Sequence, residues 1–150
     1  MLTLTSPSFK AGESIPAVYT CIGRGISPKL DWSGAPAGTQ SFALIMDDPD
    51  APGNTFVHWV LYNIPASSAG LAENAGADAQ PTDGSLQGKN SAGQVGYIGP
   101  CPPSGTHRYY FKLYALDAKL GQDGMDKETL LNAMQGHILA QGELIATFKK

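Results

Sequence analysis

Apolar residues in this chain recur mostly at alternate positions, in short runs broken by Gly and Pro, and that rhythm predicts strands. Leu2 to Leu4 alternate and suit an edge strand; Pro7, Gly12 and Pro16 then cut the chain into short extended pieces. Leu30 to Ser33 (LDWS) reads as a short strand carrying Trp32, since Ser27-Pro28 disfavours helical geometry just before it. After a Gly34–Gly38 turn, Ser41 to Asp47 reads as a buried strand, and Thr55 to Asn63 (TFVHWVLYN) as the next one. Arg108 to Asp117 (RYYFKLYALD) is a long aromatic strand. Counting by twos places His107, Tyr109, Phe111 and Leu113 on one face, with Arg108, Tyr110, Lys112 and Tyr114 on the other. Glu143 to Phe148 alternates again and predicts a final strand.

Helical periodicity is strong in one place only. Leu130, Leu131, Met134 and Ile138 form a stripe at helical spacing, Asp126 can cap it, and Gly142 can stop it, so a helix is expected over Lys127 to Gln141. Gly136 inside such a helix costs about 1 kcal/mol relative to Ala, which points to close backbone packing there. His137 beside the stripe reads as a packing or capping residue rather than a ligand. From Ala66 to Gly96 the pattern dissolves into small and polar residues, which predicts a short helix around Ala69 to Glu73 or a functional loop. No Gly-Lys-Ser/Thr opens a helix, so no nucleotide-phosphate cradle is expected.

Composition narrows this further. A chain of 150 residues suits one domain, 1–150. A net charge of −3 argues against a nucleic-acid binder that works by neutralising phosphates. No apolar segment reaches the roughly 20 residues of a transmembrane helix. The opening MLTLTSPSFKAGES lacks a basic region followed by an apolar one, so no signal peptide and a cytoplasmic location are expected. Cys21 and Cys101 have no metal-ligand spacing and are too few for a disulfide scaffold; they are expected to be reduced, partly buried thiols.

The chemistry concentrates in Asp47 to Trp59 (DDPDAPGNTFVHW). Asp48 and Asp50 lie where a strand gives way to a turn stiffened by Pro49 and Pro52. His58 sits in an apolar strand and needs a hydrogen-bond partner, because burying an unpaired ring nitrogen costs about 1–3 kcal/mol. The nearest acids lie just across the turn. A second rigid loop, Gly99 to Tyr109 (GPCPPSGTHRY), delivers His107 and Tyr109 to one side. A metal site on the acids and histidines fits no standard spacing, and neither a metal nor another cofactor is expected. A hydrolase built on Ser104 or Cys101 with His107 is disfavoured: Ser104 lacks a Gly-x-Ser-x-Gly elbow, and no helix N-terminus adjoins Cys101.

DPDAP with the following HWVLYN, and then YIGPCPPSGTHRYYFKLYALD, resembles the phosphatidylethanolamine-binding proteins, also called Raf kinase inhibitor proteins. YTCIGRGISPKLDW and AMQGHILAQGELIATFKK resemble the family's bacterial branch. The resemblance spans nearly the whole chain and is weakest from Ala66 to Gly96. It implies an antiparallel β-sandwich of a large and a small sheet, with a few peripheral helices including one near the C-terminus. It also implies an anion pocket lined by Asp48, Asp50, His58, Gly99, Pro100, His107 and Tyr109, accepting phosphate or the phosphoethanolamine head of a lipid. The family's proteins bind and regulate and are not enzymes. The alternative the resemblance allows is an inhibitor of a kinase or protease whose pocket is only regulatory; a homodimer is compatible with either.

Two carboxylates should repel a phosphate. The resolution expected is that Asp48 or Asp50 accepts the N–H of His58 or His107, fixing its tautomer and favouring its protonated form. The opposite ring nitrogen then donates to the anion, helped by Tyr109 and by amides of the Gly99 loop. Cys101 between two prolines departs from the animal proteins, and a thiol there admits redox chemistry at the pocket.

Overall fold

The computed structural model describes all residues from Met1 to Lys150. Along the chain come β1 (Thr3–Thr5), β2 (Leu30–Ser33), β3 (Ser41–Asp48), β4 (Phe56–Pro65), β5 (Gly70–Leu71), β6 (Leu86–Gln87), β7 (Thr106–Leu116), helix α1 (Lys127–Met134) and β8 (Ile138–Lys149). They build a small antiparallel sheet, β1-β2-β5, and a large one, β6-β4-β3-β7-β8. The mostly-β sandwich that the family resemblance implies is the fold observed.

β3 takes the middle of the large sheet, which is why its apolar run is continuous and every residue in it is buried. Phe42, Leu44 and Met46 face the small sheet, packing with Leu30, Trp32, Trp59 and Phe111 in the larger core. Ala43 and Ile45 face the other way, into a second core closed by Met125, Leu130 and Met134. The molecule therefore has three layers, with the large sheet between the small sheet and α1. The faces of β7 are as expected: Tyr109, Phe111 and Leu113 point into the inter-sheet core, while Tyr114 joins the α1 side.

The Cα partners hold a feature that matters for the site. Met46 pairs with Trp59, but Asp47 pairs with Val57, so His58 is an extra residue in β4. Such a bulge bends the strand and re-aims a side chain. Simple alternation from Trp59 would send His58 to the α1 face. The bulge instead turns it to the same side as Trp59.

Three expectations are corrected. The helix ends at Met134, not Gln141, because Gly136 adopts φ +82°, a left-handed conformation that ends a helix. Ile138 consequently opens β8, Gly142 lies within that strand, and His137 pairs with Asp117 at the surface (2.8 Å). The Asp126 cap is as expected, its carboxylate accepting from the Thr129 amide (2.9 Å).

From Ala66 to Gly96 there is no helix at Ala69 to Glu73. The chain contributes the short strands β5 and β6 and a single 3-10 turn at Ala75–Ala77. Buried side-chain amides do the bonding that regular structure does elsewhere. Asn90 accepts from Ala92 and Gln94 and donates to Gly96, and Gln87 links the Trp59 indole to the Ala75 carbonyl. No helix of the structure is long and apolar enough to cross a membrane.

The third correction concerns the cysteines. Cys21 and Cys101 are exposed and joined in a disulfide, with Cα atoms 5.4 Å apart. The turn around Cys21 lies against the loop around Cys101. The Tyr97 hydroxyl donates to the Tyr19 carbonyl (2.7 Å), the Cys21 amide donates to the Pro100 carbonyl (3.1 Å), and a Cβ on Gly99 would come within 3.0–3.1 Å of the Tyr19 and Thr20 backbone. A disulfide is the mark of oxidising surroundings in most organisms, and it pulls against the cytoplasmic expectation.

Candidate functional site

At one end of the large sheet, the C-terminal end of β3, the bulged start of β4 and the start of β7 meet two loops, 49–55 and 98–105. They enclose a cavity of about 170 Å³. Asp48, His58, Gly99, His107 and Tyr109 all line it. Phe56, Ile98, Cys101, Pro102 and Pro103 add an apolar wall.

His107 donates or shares its Nδ1 proton with Asp48 Oδ2 at 2.6 Å, and both side chains are nearly inaccessible to solvent. The partnership orients the ring and leaves Nε2 without a protein partner. His58 takes a different partner from the one expected: its Nδ1 donates to the Ile98 carbonyl (2.7 Å), not to an acid. Its ring lies edge-on to Tyr109 (5.3 Å between centroids) and beside Phe56 (4.8 Å). Burial lowers the His58 pKa, against the opposing pull of the Ile98 carbonyl and the Asp48 charge. Of the acid–histidine pairings expected, Asp48 with His107 is formed; no acid holds His58, and burial favours its neutral ring.

Asp50 is not in the pocket. Its carboxylate accepts from the Arg108 backbone amide, Nε and Nη2, each at 2.9 Å. This fork holds its pKa at about 2 and pins the Pro49–Asn54 loop to the start of β7. Arg108 points to the opposite face from His107, which is where Asp50 has to turn to reach it. Pro100 is also absent from the lining; it is buried and offers its carbonyl to Cys21. Phe56 and Ile98 were missed. Phe56 could have been found two residues before His58 in TFVHW, whereas nothing local marks Ile98.

Tyr109 is fully buried, and its hydroxyl is the one buried side-chain polar atom with no hydrogen-bond partner. Burial, followed by the charge of Asp48 and the nearness of its carboxylate to the hydroxyl, pushes its pKa upward, so the phenol stays protonated, close to Asp48 without closing a hydrogen bond to it. An unmet buried donor costs about 1–3 kcal/mol, and sites where one persists call for a physical reason. A larger hollow of about 350 Å³ lies on the α1 side, lined by Lys89, Asn90 and Lys127 among others, and holds no such atom.

The lowered His58 pKa sets a pH dependence. Between its folded value and the roughly 6.5 of an unfolded histidine, the unfolded chain binds more protons, so stability rises with pH. The contribution is present above about pH 6.5 and is lost as pH falls below it. The thermal midpoint of the protein is expected to drop from about pH 7.5 to about pH 5.5, and His58→Gln, which keeps a donor for Ile98, should flatten that slope. An unchanged slope in His58→Gln would move the effect to another group.

A two-sheet antiparallel domain with a small histidine–tyrosine–aspartate pocket at one sheet end is the class of protein that fold and site define. A family model described as phosphatidylethanolamine-binding protein matches residues 5–149. The chain belongs to that family. It is 49% identical over 150 residues to a UPF0098 protein of Methanothermobacter thermautotrophicus, covering 99% of both chains. It is 46% identical over 155 residues to a UPF0098 protein of Chlamydia muridarum, again covering 99% of both. The relatives thus include archaeal as well as bacterial proteins. Among solved structures it is similar to a phosphatidylethanolamine-binding protein homologue of Chlamydia trachomatis, with a TM-score of 0.92, 44% identity, and coverage of 99% of this chain and 97% of that one. It is also similar to YbcL of E. coli, described as a new member of the mammalian family, with a TM-score of 0.91, 34% identity, and coverage of 99% and 98%.

Proposed function

We propose that the pocket binds a small phosphate-type oxyanion, free or as the head of a larger molecule, and that the protein acts by binding rather than by catalysis. The observation that carries this reading is the buried Tyr109 hydroxyl, a donor that closes no hydrogen bond within the protein, on a residue lining a cavity with His58 and His107, whose Nε2 atoms have no protein partner. A volume of about 170 Å³ accommodates phosphate or phosphoethanolamine but not a lipid's acyl chains. The pocket supplies no ready nucleophile: the Cys101 sulfur is held in the disulfide, and Ser104 is exposed and outside the lining.

One Asp48 oxygen is engaged by the His107 Nδ1–H, so an incoming anion does not face a bare carboxylate. A neutral His58 whose Nδ1 donates to Ile98 presents a lone pair at Nε2, and an anion needs a donor there. The anion's own charge offsets the burial that keeps His58 neutral, so binding draws a proton into the pocket. Affinity therefore rises as pH falls. Calorimetric titration with inorganic phosphate and with phosphoethanolamine is expected to show weak binding that tightens from about pH 8 to about pH 6 and is reduced in Tyr109→Phe. Binding that is absent, or indifferent to both pH and Tyr109→Phe, would overturn the reading.

A further inference from the structure

A third of the residues lining the pocket sit on one loop that makes few hydrogen bonds. Residues 99–105 lie between Ile98, whose carbonyl orients His58, and the first residue of β7. Pro100, Pro102 and Pro103 have no amide hydrogen to give. The single backbone hydrogen bond made by this segment is the Pro100 carbonyl accepting from the Cys21 amide (3.1 Å), and none of its side chains makes one. The one covalent tie is the disulfide from Cys101 to that same Cys21. Hydrogen bond and cross-link thus share an anchor, and Gly99 and Gly105 flank the tethered stretch, Gly105 at φ +69°.

Position on the pocket is the second element. Cys101 lines the cavity together with Gly99, Pro102 and Pro103, so any movement of the tie moves the wall. Both cysteines are solvent-exposed, so a small thiol can reach the bond. A cross-link serving stability alone needs no such access.

Building on the anion-pocket reading, we propose that the Cys21–Cys101 disulfide is a redox control of ligand affinity: reduction releases the 99–105 wall and weakens anion binding, and oxidation restores it. The chemistry is thiol–disulfide exchange with a low-molecular-weight dithiol. A thiolate of the reductant attacks one protein sulfur and breaks the S–S bond; its second thiol closes the mixed disulfide. Two electrons and two protons pass to Cys21 and Cys101, and the reductant leaves as its own disulfide. Without the cross-link the wall keeps one backbone hydrogen bond and the packing of Gly99 and of the buried Pro100 and Pro102, and Cys101 and Pro103 are free to sample other positions. If the wall occupies the binding-ready position about a tenth of the time, apparent affinity falls about tenfold.

The test is titration of inorganic phosphate into the oxidised protein, into protein reduced by dithiothreitol with its thiols counted, and into protein reoxidised afterwards. Circular dichroism follows the fold in each state. The expected result is a reversible loss of affinity of about tenfold on reduction with the fold intact, and a Cys21→Ser protein fixed in the weak state whatever the reductant. Equal affinity in the oxidised and fully reduced proteins overturns the redox control and leaves the anion pocket standing. Phosphate binding in neither state overturns the anion pocket itself. Hydrogen exchange at the Cys21 amide then decides the wall: faster exchange on reduction supports its release, and unchanged exchange overturns it.

Discussion

His107→Ala is expected to weaken phosphate binding by about 1.5–3 kcal/mol, the worth of one charged hydrogen bond, and Asp48→Asn is expected to weaken it too. The second result is the informative one. Removing a negative charge beside an anion should tighten binding if repulsion governs the pocket. Asp48 instead holds the His107 ring by a 2.6 Å contact at Nδ1, which leaves Nε2 for the ligand. An asparagine loses the charge-assisted part of that bond and can also turn its own amide toward the ring. Calorimetry showing tighter phosphate binding in Asp48→Asn would sink the orienting role of Asp48 while leaving the pocket in place.

The second large effect is on stability. Replacing both Cys21 and Cys101 by Ser is expected to lower unfolding free energy by about 4 kcal/mol, because the cross-link closes a long loop and restricts the unfolded chain. The sequence separation it spans is 80 residues. Against a typical total of about 5–15 kcal/mol, such a protein stays folded but melts earlier. Urea denaturation of the oxidised protein and the double variant measures the difference. A loss well under 1 kcal/mol would mean that the cross-link hardly constrains the unfolded chain, leaving its effect, if any, to the pocket wall.

The strands were legible because a half-buried strand alternates and a central one does not. LDWS, the run ending at Met46 and the faces of β7 all follow from that rule. His107 and Tyr109 on one side were legible for the same reason. What the sequence could not disclose are relations between distant segments. The aim of His58 depends on a bulge, which is a mismatch between two strands and not a property of TFVHW alone. The Cys21–Cys101 bond joins segments brought together only by the packing of Tyr19 and Thr20 against Tyr97 and Gly99. Asp50 was drawn toward the histidines by proximity in sequence, whereas a fork donor on the reverse face of β7 offered three hydrogen bonds at once. The helix ends before the apolar stripe does because Gly136 takes a left-handed conformation open to glycine, which serves a helix end rather than its interior.

The bulge at His58 makes the pocket a matter of arithmetic. One inserted residue separates a β4 that aims an imidazole at the cavity from a β4 that aims it at α1, with nothing in between. Removing a single residue at Val57 would let the ladder run on unbroken from Trp59 and still pair with β3. A protein of this fold can therefore lose its site in one deletion and keep its sheet, and gain it back in one insertion. In a related chain, the partners of the residues at Met46 and Asp47 thus tell whether the imidazole still faces the cavity: a skipped β4 residue between them keeps it there.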